Sequence, residues 1–321
     1  MVAARTVRAA RLEEHGRPIE VMATPLADLG AGEVVVDMEY AGVNPVDRYV
    51  ALGRVAPDAP LPRTMGVEGV GRVDGRWVAM HGHGLGTARD GVWAEAAVVP
   101  EDALVDVPKG VDPVAAASVG VAGVTAWRTV TELARVAAGD RVLVLGASGG
   151  VGSMVVSLAR SVGAVVWGQT GRPAKAPAIV GAGATRAVVV EAPGGLTDAV
   201  AELRPTVVFD PLGGGFTGAA IDAMAPRGRL VLFGTSANPR GNVPLQVLYR
   251  QGITVLGYGG LSEPASALRR GMIGALEAIS EGRLAVVVDS LLPLDAAQEA
   301  LDRLAARSAT GNLVLSLGGT P

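Results

Sequence analysis

The stretch 141–152, RVLVLGASGGVG, decides the fold of this chain of 321 residues. An apolar strand runs into a glycine-rich turn, and the turn runs into the helical pattern VGSMVVSLARSVG, where Gly163 is placed to end the helix. The apolar residues of that helix recur on one face: Val151, Met154, Val155, Leu158 and Val162. A strand, a glycine turn and a helix in direct succession are typical of a dinucleotide-binding βα unit.

Three glycines of this turn, Gly146, Gly149 and Gly152, have the spacing of a dinucleotide fingerprint. Without side chains the turn can tighten, the backbone can approach a pyrophosphate, and N–H groups at the helix start can bind its negative charge. We therefore predict that a dinucleotide cofactor lies against this turn. The predicted contacts are Gly146, Ser148, Gly149, Gly150, Val151 and Gly152.

The choice between NADH and NADPH depends on the end of the next strand, about twenty residues on, where NAD enzymes usually carry an acidic residue. Here the sequence is GQTGRPAK, so Thr170 and Gly171 supply no carboxylate to repel a 2′-phosphate. Arg172 and Lys175 offer cations that can bind one, although both could also be solvated surface residues. The sequence predicts NADPH.

The pattern around this motif indicates an α/β fold with two domains. From about residue 118, apolar strands that start at 141, 165, 186, 206, 229 and 253 alternate with helical segments, which predicts a doubly wound parallel sheet. Before about residue 115, short alternating runs separated by Gly and Pro predict a mostly β, barrel-like domain. The tail contains two helical segments and a last strand, and we expect it to return to the first domain.

Composition limits the classes of partner. A net charge of -3 provides no broad basic field, which argues against nucleic acids and anionic membranes as partners. The chain has no Cys, and therefore no disulfide, thiolate nucleophile or Cys-ligated zinc. It has neither a signal-peptide pattern at the N-terminus nor an apolar run of about 20 residues. We expect a cytoplasmic protein that acts on a small molecule.

Several motifs occur in the order found in the medium-chain dehydrogenase/reductase family, which the sequence resembles over nearly its whole length. They are AGVNPVDRYVALG (41–53), PRTMGVEGVGRV (62–73), the segment 91–130, GASGGVG (146–152) and TGNLVLSL (310–317). The resemblance is closest to the quinone oxidoreductase and enoyl reductase branch. It implies a GroES-like β-barrel catalytic domain built from 1–117 and 259–321, a Rossmann NADP-binding domain at 118–258, and a cofactor cleft at their junction.

The resemblance also bears on zinc. Zinc alcohol dehydrogenases of this family have a Cys at the position of Asn44, a His at that of Val67 and another Cys near Val121, and the Cys-rich structural zinc lobe is missing as well. A catalytic zinc needs three protein ligands, and the chain's three His are scattered along the sequence. We therefore expect no metal and no Lewis-acid mechanism.

The catalytic candidates follow from the same resemblance. In zinc-free relatives the NPVD-type segment lines the nicotinamide and substrate cleft, and quinone oxidoreductases have a Tyr at the position of Tyr49. Asn44 and Tyr49 are thus the expected hydrogen-bond donors to the substrate oxygen, and Tyr49, with a phenol pKa near ~10, is also a candidate proton donor. The alternative is that Asn44 caps a turn and Tyr49 packs in the barrel. The second aromatic residue of a typical quinone site is absent after Gly53.

Further cofactor contacts are expected outside the glycine turn. Thr125 resembles a family residue that faces the nicotinamide or ribose, and Asn312 falls where the family places a polar or basic residue near the cofactor. The others lie at the carboxyl ends of later strands, where such sheets bind ligands: Gly234, Thr235, Ser236, Gly257 and Tyr258. Tyr258 could equally pack at the domain junction. Asp47 and Glu68 are interpreted as structural anchors, and His81 and His83 as part of a solvated loop.

The expected activity is the transfer of a hydride from NADPH to an activated double bond or a quinone. Two alternatives remain open: a reductase of enoyl thioesters in a biosynthetic pathway, and a catalytically silent NADPH-binding protein. Relatives are often dimers joined through the edges of their Rossmann sheets, so the strand ITVLGYG is expected to form a homodimer interface.

Overall fold

The computed structural model describes residues 5–318, and all statements about its elements refer to that range. The strands are β1 Thr6–Leu12, β2 Glu20–Pro25, β3 Glu33–Val43, β4 Arg63–Thr64, β5 Glu68–Val73, β6 Arg76–His81, β7 Ala96–Pro100, β8 Leu104–Asp106, β9 Arg141–Val144, β10 Val165–Thr170, β11 Arg186–Val189, β12 Val207–Asp210, β13 Arg229–Leu232, β14 Thr254–Gly257, β15 Val288–Pro293 and β16 Asn312–Ser316.

The α-helices are α1 Pro45–Ala51, α2 Pro113–Ala116, α3 Val124–Trp127, α4 Gly150–Ser161, α5 Ala176–Gly181, α6 Leu196–Ala199, α7 Gly215–Ala223, α8 Leu245–Gln251, α9 Ala265–Ser280 and α10 Ala297–Ala305. Short 3₁₀ segments are Glu101–Ala103, Pro173–Lys175, Pro193–Gly195, Gly260–Ser262 and Leu294–Ala296. Two π-helical segments are Val119–Gly123 and Arg128–Leu133. Within residues 5–318, none of the helices combines the length and the apolar character needed to cross a membrane.

The chain divides into two compact units. The first comprises Met1–Val124, Glu263–Ser280 and Val288–Pro321, and the second Thr125–Ser262 and Glu281–Val287. The first boundary lies a few residues later than the sequence indicated, because the π-helical turn Val119–Gly123 packs on β5 and β6. The short segment Glu281–Val287 joins the second unit, where the backbone N–H of Ala285 donates to Ser157 Oγ at 3.1 Å.

The second unit contains the predicted parallel sheet. Its six strands have the order β11-β10-β9-β12-β13-β14, and every neighbouring pair runs parallel. Residues 142–145 are fully buried, as expected for a central strand covered by helices on both faces. The strand order reverses between β9 and β12, and ligands bind at such switch points, outside the carboxyl ends of the strands. The prediction of a doubly wound α/β sheet is confirmed.

The first unit is mostly β, also as predicted. One sheet has the order β15-β16-β3-β5-β6-β8 with β7 paired to β3, and a smaller sheet has the order β2-β1-β4. The last strand, β16, pairs antiparallel with β3, so the end of the chain completes the sheet begun near its start. The apolar core between these strands includes Trp93, Met65 and Met38. The large sheet carries helix α1 at the end of β3, and α1 bears the catalytic candidates.

Candidate functional site

The glycine turn joins β9 to α4 in the second unit. Gly146 has a φ of 58°, a conformation that glycine adopts without strain, and its carbonyl accepts the N–H of Gly149 at 3.0 Å. Gly152 lies against the turn, because a Cβ there would lie 2.5 Å from the Gly146 oxygen and 2.8 Å from Ala147 Cα. Helix α4 therefore starts with its N–H groups at the carboxyl end of β9, where they can meet an anionic ligand.

The structure thus brings Gly146, Ser148, Gly149, Gly150, Val151 and Gly152 together at one helix start. Their contact with a cofactor remains a prediction. Helix α4 buries Met154, Val155 and Leu158, as the sequence pattern indicated, but Val162 lies after its end and is 37% exposed.

Gln169, at the end of β10, holds this turn in place, a role that the sequence analysis missed. Its Oε1 accepts the N–H of Gly146 at 3.0 Å, and its Nε2 donates to the Val190 carbonyl at 2.5 Å. The Gln169 carbonyl also accepts the N–H of Ala147 at 2.9 Å. The side chain is buried, and its amide connects the turn to the residue that follows β11. A polar residue in the buried strand pattern VVWGQT was the available signal.

The residues expected near a 2′-phosphate follow Gln169. Thr170 is buried, and its hydroxyl accepts the N–H of Arg172 at 3.2 Å. Arg172 is exposed and Lys175 half-buried, and they stand at the start and the end of the 3₁₀ turn before α5. Pro177 lies in the first turn of α5, where proline is tolerated, so the helix starts only at Ala176.

The other expected cofactor residues of the second unit follow later strands. Gly234, Thr235 and Ser236 come after β13, and the N–H of Ser236 donates to the Pro211 carbonyl at 3.0 Å. Gly257 ends β14 and is exposed. These residues share the carboxyl edge of the sheet with the glycine turn.

Tyr258 and Thr125 are more enclosed. Tyr258 is buried, its N–H donates to the Leu232 carbonyl, and its ring lies 5.8 Å from the guanidinium carbon of Arg128. Thr125 is a nearly buried residue of α3. Asn312 belongs to the first unit, where it is buried and starts β16 opposite Val288. The contacts of Thr125, Tyr258 and Asn312 with a cofactor remain predictions.

The two catalytic candidates share helix α1. Asn44 is the N-cap residue and is buried, and its backbone N–H donates to Asp47 Oδ2 at 2.8 Å. Tyr49 is half-buried in the same helix, and its hydroxyl has no hydrogen-bond partner within residues 5–318. The capping role considered for Asn44 is thus present, while its side-chain amide makes a separate contact with Glu68.

Asp47 and Glu68 form a buried acidic pair beside Asn44. Asp47 Oδ1 accepts the N–H of Val67 at 3.2 Å, and Glu68 accepts from Asn44 Nδ2 at 2.5 Å and from the N–H of Val121 at 2.7 Å. Burial, together with the nearby Glu68 carboxylate, raises the pKa of Asp47 to about 8 despite hydrogen bonds that lower it. Burial also raises the pKa of Glu68 to about 7, against the opposing hydrogen bond from Asn44. Both residues are anchors, as interpreted from the sequence.

These two carboxylates connect the three positions that the family resemblance assigns to zinc ligands. Asn44 and Val121 both bond to Glu68, and the backbones of Asn44 and Val67 both bond to Asp47. The side chains of Val67 and Val121 have no donor atom, and the Asn44 amide already faces Glu68, so the residues present do not fit a zinc ion. Across residues 5–318, His, Asp and Glu form no group of three or more that could hold a metal.

His81 differs from its interpretation as part of a solvated loop. It is the last residue of β6, its Nδ1 lies 2.9 Å from the Val67 carbonyl, and burial lowers its pKa. His83 lies in the glycine-rich loop with a φ of 51°, and its Nδ1 is 3.4 Å from an Asp102 oxygen. Because β6 pairs with β5, His81 lies directly opposite Glu68.

Two family models match this chain. The model described as alcohol dehydrogenase GroES-like domain matches residues 30–109, and the model described as zinc-binding dehydrogenase matches residues 150–278. The chain is 29% identical over 311 residues to a quinone oxidoreductase of Pseudomonas aeruginosa, covering 90% of this chain and 92% of that protein. It is 28% identical over 313 residues to a prostaglandin reductase-3 of Bos taurus, covering 90% and 82%.

Among solved structures, a quinone oxidoreductase from Thermus thermophilus matches with a TM-score of 0.83 and 29% identity. The match covers 97% of this chain and all of that one, and a complex of that protein with NADPH is known. These likenesses span the β-rich first unit and the parallel sheet of the second, so the fold expected from the resemblance is confirmed.

Proposed function

Since this chain belongs to the medium-chain dehydrogenase/reductase family of oxidoreductases, we propose that it is an NADPH-dependent, zinc-independent reductase of quinones or of activated carbon–carbon double bonds. The observation that carries the proposal is the glycine turn at the switch point of the parallel sheet, which leaves space for a pyrophosphate at the start of α4. The bound nicotinamide would supply the hydride.

The preference for NADPH is supported by the end of β10. No carboxylate follows in the segment 168–175, where NAD enzymes usually carry an acidic residue; Gln169 uses its amide for the glycine turn, and Arg172 lies exposed three residues on. A guanidinium at that place can form charge-assisted hydrogen bonds with a 2′-phosphate. The NADPH complex of the Thermus thermophilus relative agrees with this choice.

The residues of α1 would serve the substrate. As the substrate accepts a hydride, negative charge develops on its oxygen, and donors placed at that oxygen lower the barrier. Tyr49 is half-buried and its hydroxyl has no hydrogen-bond partner within residues 5–318, so it is available to donate a hydrogen bond and then a proton. We place Asn44 beside it as the second polar group that the substrate meets.

The test is NADPH oxidation with a panel of quinones, enones and enoyl thioesters. We expect turnover with at least one class, and we expect Tyr49→Phe to lower kcat by about 10²–10⁴-fold, the usual contribution of a positioned acid, with little change in NADPH affinity. Tyr40→Phe is the matched control, because Tyr40 stacks on Trp77 in β6 and has no proposed role in the reaction. Tight NADPH binding without turnover of any acceptor would instead favour the silent binding protein.

We also propose a homodimer that pairs the edges of two parallel sheets. Strand β14 ends the sheet, so its outer edge is open for pairing, and Val255 on it is exposed. The nearby helix α8 exposes two large residues of the same unit, Leu245 at 70% and Tyr249 at 66%. A single copy leaves these apolar groups in water, and pairing with a second copy would cover them.

Light scattering tests this assembly. We expect the wild type to have twice the chain mass and Val255→Lys to have the mass of one chain, because a lysine on an edge strand opposes pairing. Val165→Lys is the control, since Val165 is similarly exposed at the start of the inner strand β10. A wild type of single-chain mass at micromolar concentration contradicts the proposal. The cytoplasmic location expected from the sequence stays a prediction.

A further inference from the structure

The carboxylate of Glu68 faces hydrogen-bond donors on both of its oxygens. Oε1 accepts from Asn44 Nδ2, and Oε2 accepts from the N–H of Val121, with the N–H of Gly120 as a further donor. Gly42 on β3 leaves room for this arrangement, because a Cβ there would lie 2.1 Å from Glu68 Oε1. Glu68 is 1% exposed, so the protein replaces its hydration with these three N–H groups.

This arrangement decides which way the Asn44 side chain points. An asparagine amide has one accepting oxygen and one donating nitrogen of nearly the same size, so its orientation is set by its partners. An ionised carboxylate can only accept, and Asn44 must therefore present Nδ2 to Glu68. Its Oδ1 is then on the side of the Asp47 N–H that Asn44 caps, and its second N–H is left for another partner.

We propose that Glu68 is a positioning residue that fixes the amide orientation of Asn44, so that Asn44 keeps Oδ1 toward the N–H of Asp47 and offers its second N–H as a donor to a bound molecule. The consequence for turnover rests on the proposed function, in which Asn44 meets the substrate. The orientation of the Asn44 amide does not depend on the proposed function, since it follows from contacts within the first unit.

Replacement by glutamine should reverse the orientation. In Glu68→Gln, the oxygen of the new amide must face the N–H groups of Gly120 and Val121, because an NH₂ group there would oppose donor with donor. Its nitrogen then faces Asn44, which can satisfy it only by turning Oδ1 toward position 68. The variant keeps the size and the backbone contacts of Glu68 while it exchanges the donor and the acceptor that Asn44 presents.

Protonation of Glu68 should have the same effect in the wild type. Asp47 on α1 and His81 on β6 are the titratable groups that interact with or lie opposite Glu68, while α2 and the turn Val119–Gly123 contribute no ionisable side chain and β3 presents Gly42. Burial raises the pKa of Glu68 to about 7. Above that pH, Asn44 donates to the carboxylate, and below it the proton on Oε1 must face Asn44 Oδ1.

The experiment measures the side-chain ¹⁵NH₂ signals of Asn44 and the pH profile of kcat. In the wild type without cofactor, we expect one Asn44 proton to be shifted downfield at pH 8.5 and to lose that shift as the pH falls through about 7. In Glu68→Gln we expect the Asn44 proton to lack this downfield shift at every pH, as it does in the wild type at low pH. At pH 8.5 we expect kcat to fall at least about tenfold while the Kd for NADPH changes less than threefold. Glu39→Gln, on the neighbouring strand β3, is the control and should match the wild type.

Asn44 signals and a pH profile that are the same in Glu68→Gln and the wild type would overturn the proposal. If Glu68→Gln does not fold, the double variant Asn44→Asp with Glu68→Gln decides, because its carboxylate can accept from the glutamine amide. If the double variant restores the melting temperature without restoring kcat, the hydrogen bond between positions 44 and 68 is the contact that matters, and the proposal stands. If the melting temperature stays low, the proposal is overturned. A wild type that shows the pH-dependent Asn44 signal but turns over no acceptor supports the orientation and refutes the proposed function.

Discussion

Replacing Gly152 with Ala should lower the affinity for NADPH by at least about 100-fold, which corresponds to ~2.8 kcal/mol. The new Cβ would lie 2.5 Å from the carbonyl oxygen of Gly146 and 2.8 Å from Ala147 Cα, closer than non-bonded atoms approach. Both contacts are backbone atoms that cannot rotate away, so α4 and the turn must separate. The N–H groups at the start of α4 then lose the positions in which they would bind a pyrophosphate. Titration with NADPH measures the effect.

Gly149→Ala should weaken the contact with the cofactor without affecting the folded structure. A Cβ at Gly149 would have its nearest neighbour, the Gly146 oxygen, at 3.5 Å, an ordinary contact, and its φ of -84° suits any residue. We therefore expect an unchanged melting temperature and about tenfold weaker NADPH binding, since the methyl group would hold the pyrophosphate off the backbone. Gly181→Ala, in α5 with no atom within 4 Å of the added carbon, should change neither quantity.

Full NADPH affinity in Gly152→Ala would contradict the first prediction, because the cofactor would then bind away from the glycine turn.

Arg172→Glu should remove the preference for NADPH over NADH. A hydrogen bond to a charged group contributes about 1.5–3 kcal/mol, and a glutamate at this exposed position would repel the phosphate as well. NADPH should therefore bind roughly 100-fold more weakly, while NADH, which has no 2′-phosphate, should bind as before. Competition titrations at two salt concentrations measure this, and the wild-type preference should shrink as salt rises.

Arg186→Glu is the matched control, because Arg186 is an exposed arginine of the neighbouring strand β11 and the change in net charge is the same. Equal binding of the two cofactors by the wild type would contradict the prediction. In that case Glu191 is the carboxylate to replace, since its Cα lies 3.6 Å from where a Cβ on Gly171 would stand.

The parallel sheet was predictable because its signals are local. Each strand is a short apolar run, each crossover brings its own helix pattern, and the glycine turn marks the first of them. The observed strands start at the predicted residue or one later: β12 starts at Val207 and β14 at Thr254, where the sequence suggested 206 and 253. The mostly β first domain was predictable for the same reason, from alternation and turns.

The contacts of the acidic pair beside Asn44 could not be predicted from the sequence. Asn44, Glu68 and Val121 lie on three segments far apart in the chain, and nothing local indicates that one carboxylate will bond to the other two. The sequence suggested an anchor at Glu68 but not which residue it orients. Gln169 was overlooked for a similar reason, because its partners Gly146 and Val190 belong to two other strand ends.

Two smaller differences have plain physical causes. Val162 fits the apolar helix pattern, yet it is exposed because α4 ends at Ser161 and the chain turns at Gly163 with a φ of 87°. The segment Glu281–Val287 lies within the range 259–321 that was predicted for the catalytic domain. The hydrogen bond from Ala285 to Ser157 nevertheless attaches it to α4 in the second unit. Such attachments depend on tertiary contacts that no periodicity encodes.

The pairing of β3 with β16 has a consequence for how the protein is made. Residues 40–43 of β3 pair with β16, so this end of β3 lacks that partner until residues 312–316 have left the ribosome, whereas β5 and β7 pair with the rest of β3 much earlier. The six-stranded parallel sheet ends at Gly257 and can assemble earlier. During synthesis an apolar strand with open backbone groups would persist, which exposes the nascent chain to misassembly. Removal of the five residues Asn312–Ser316 should therefore lower the yield in cells more strongly than the loss of five surface residues would.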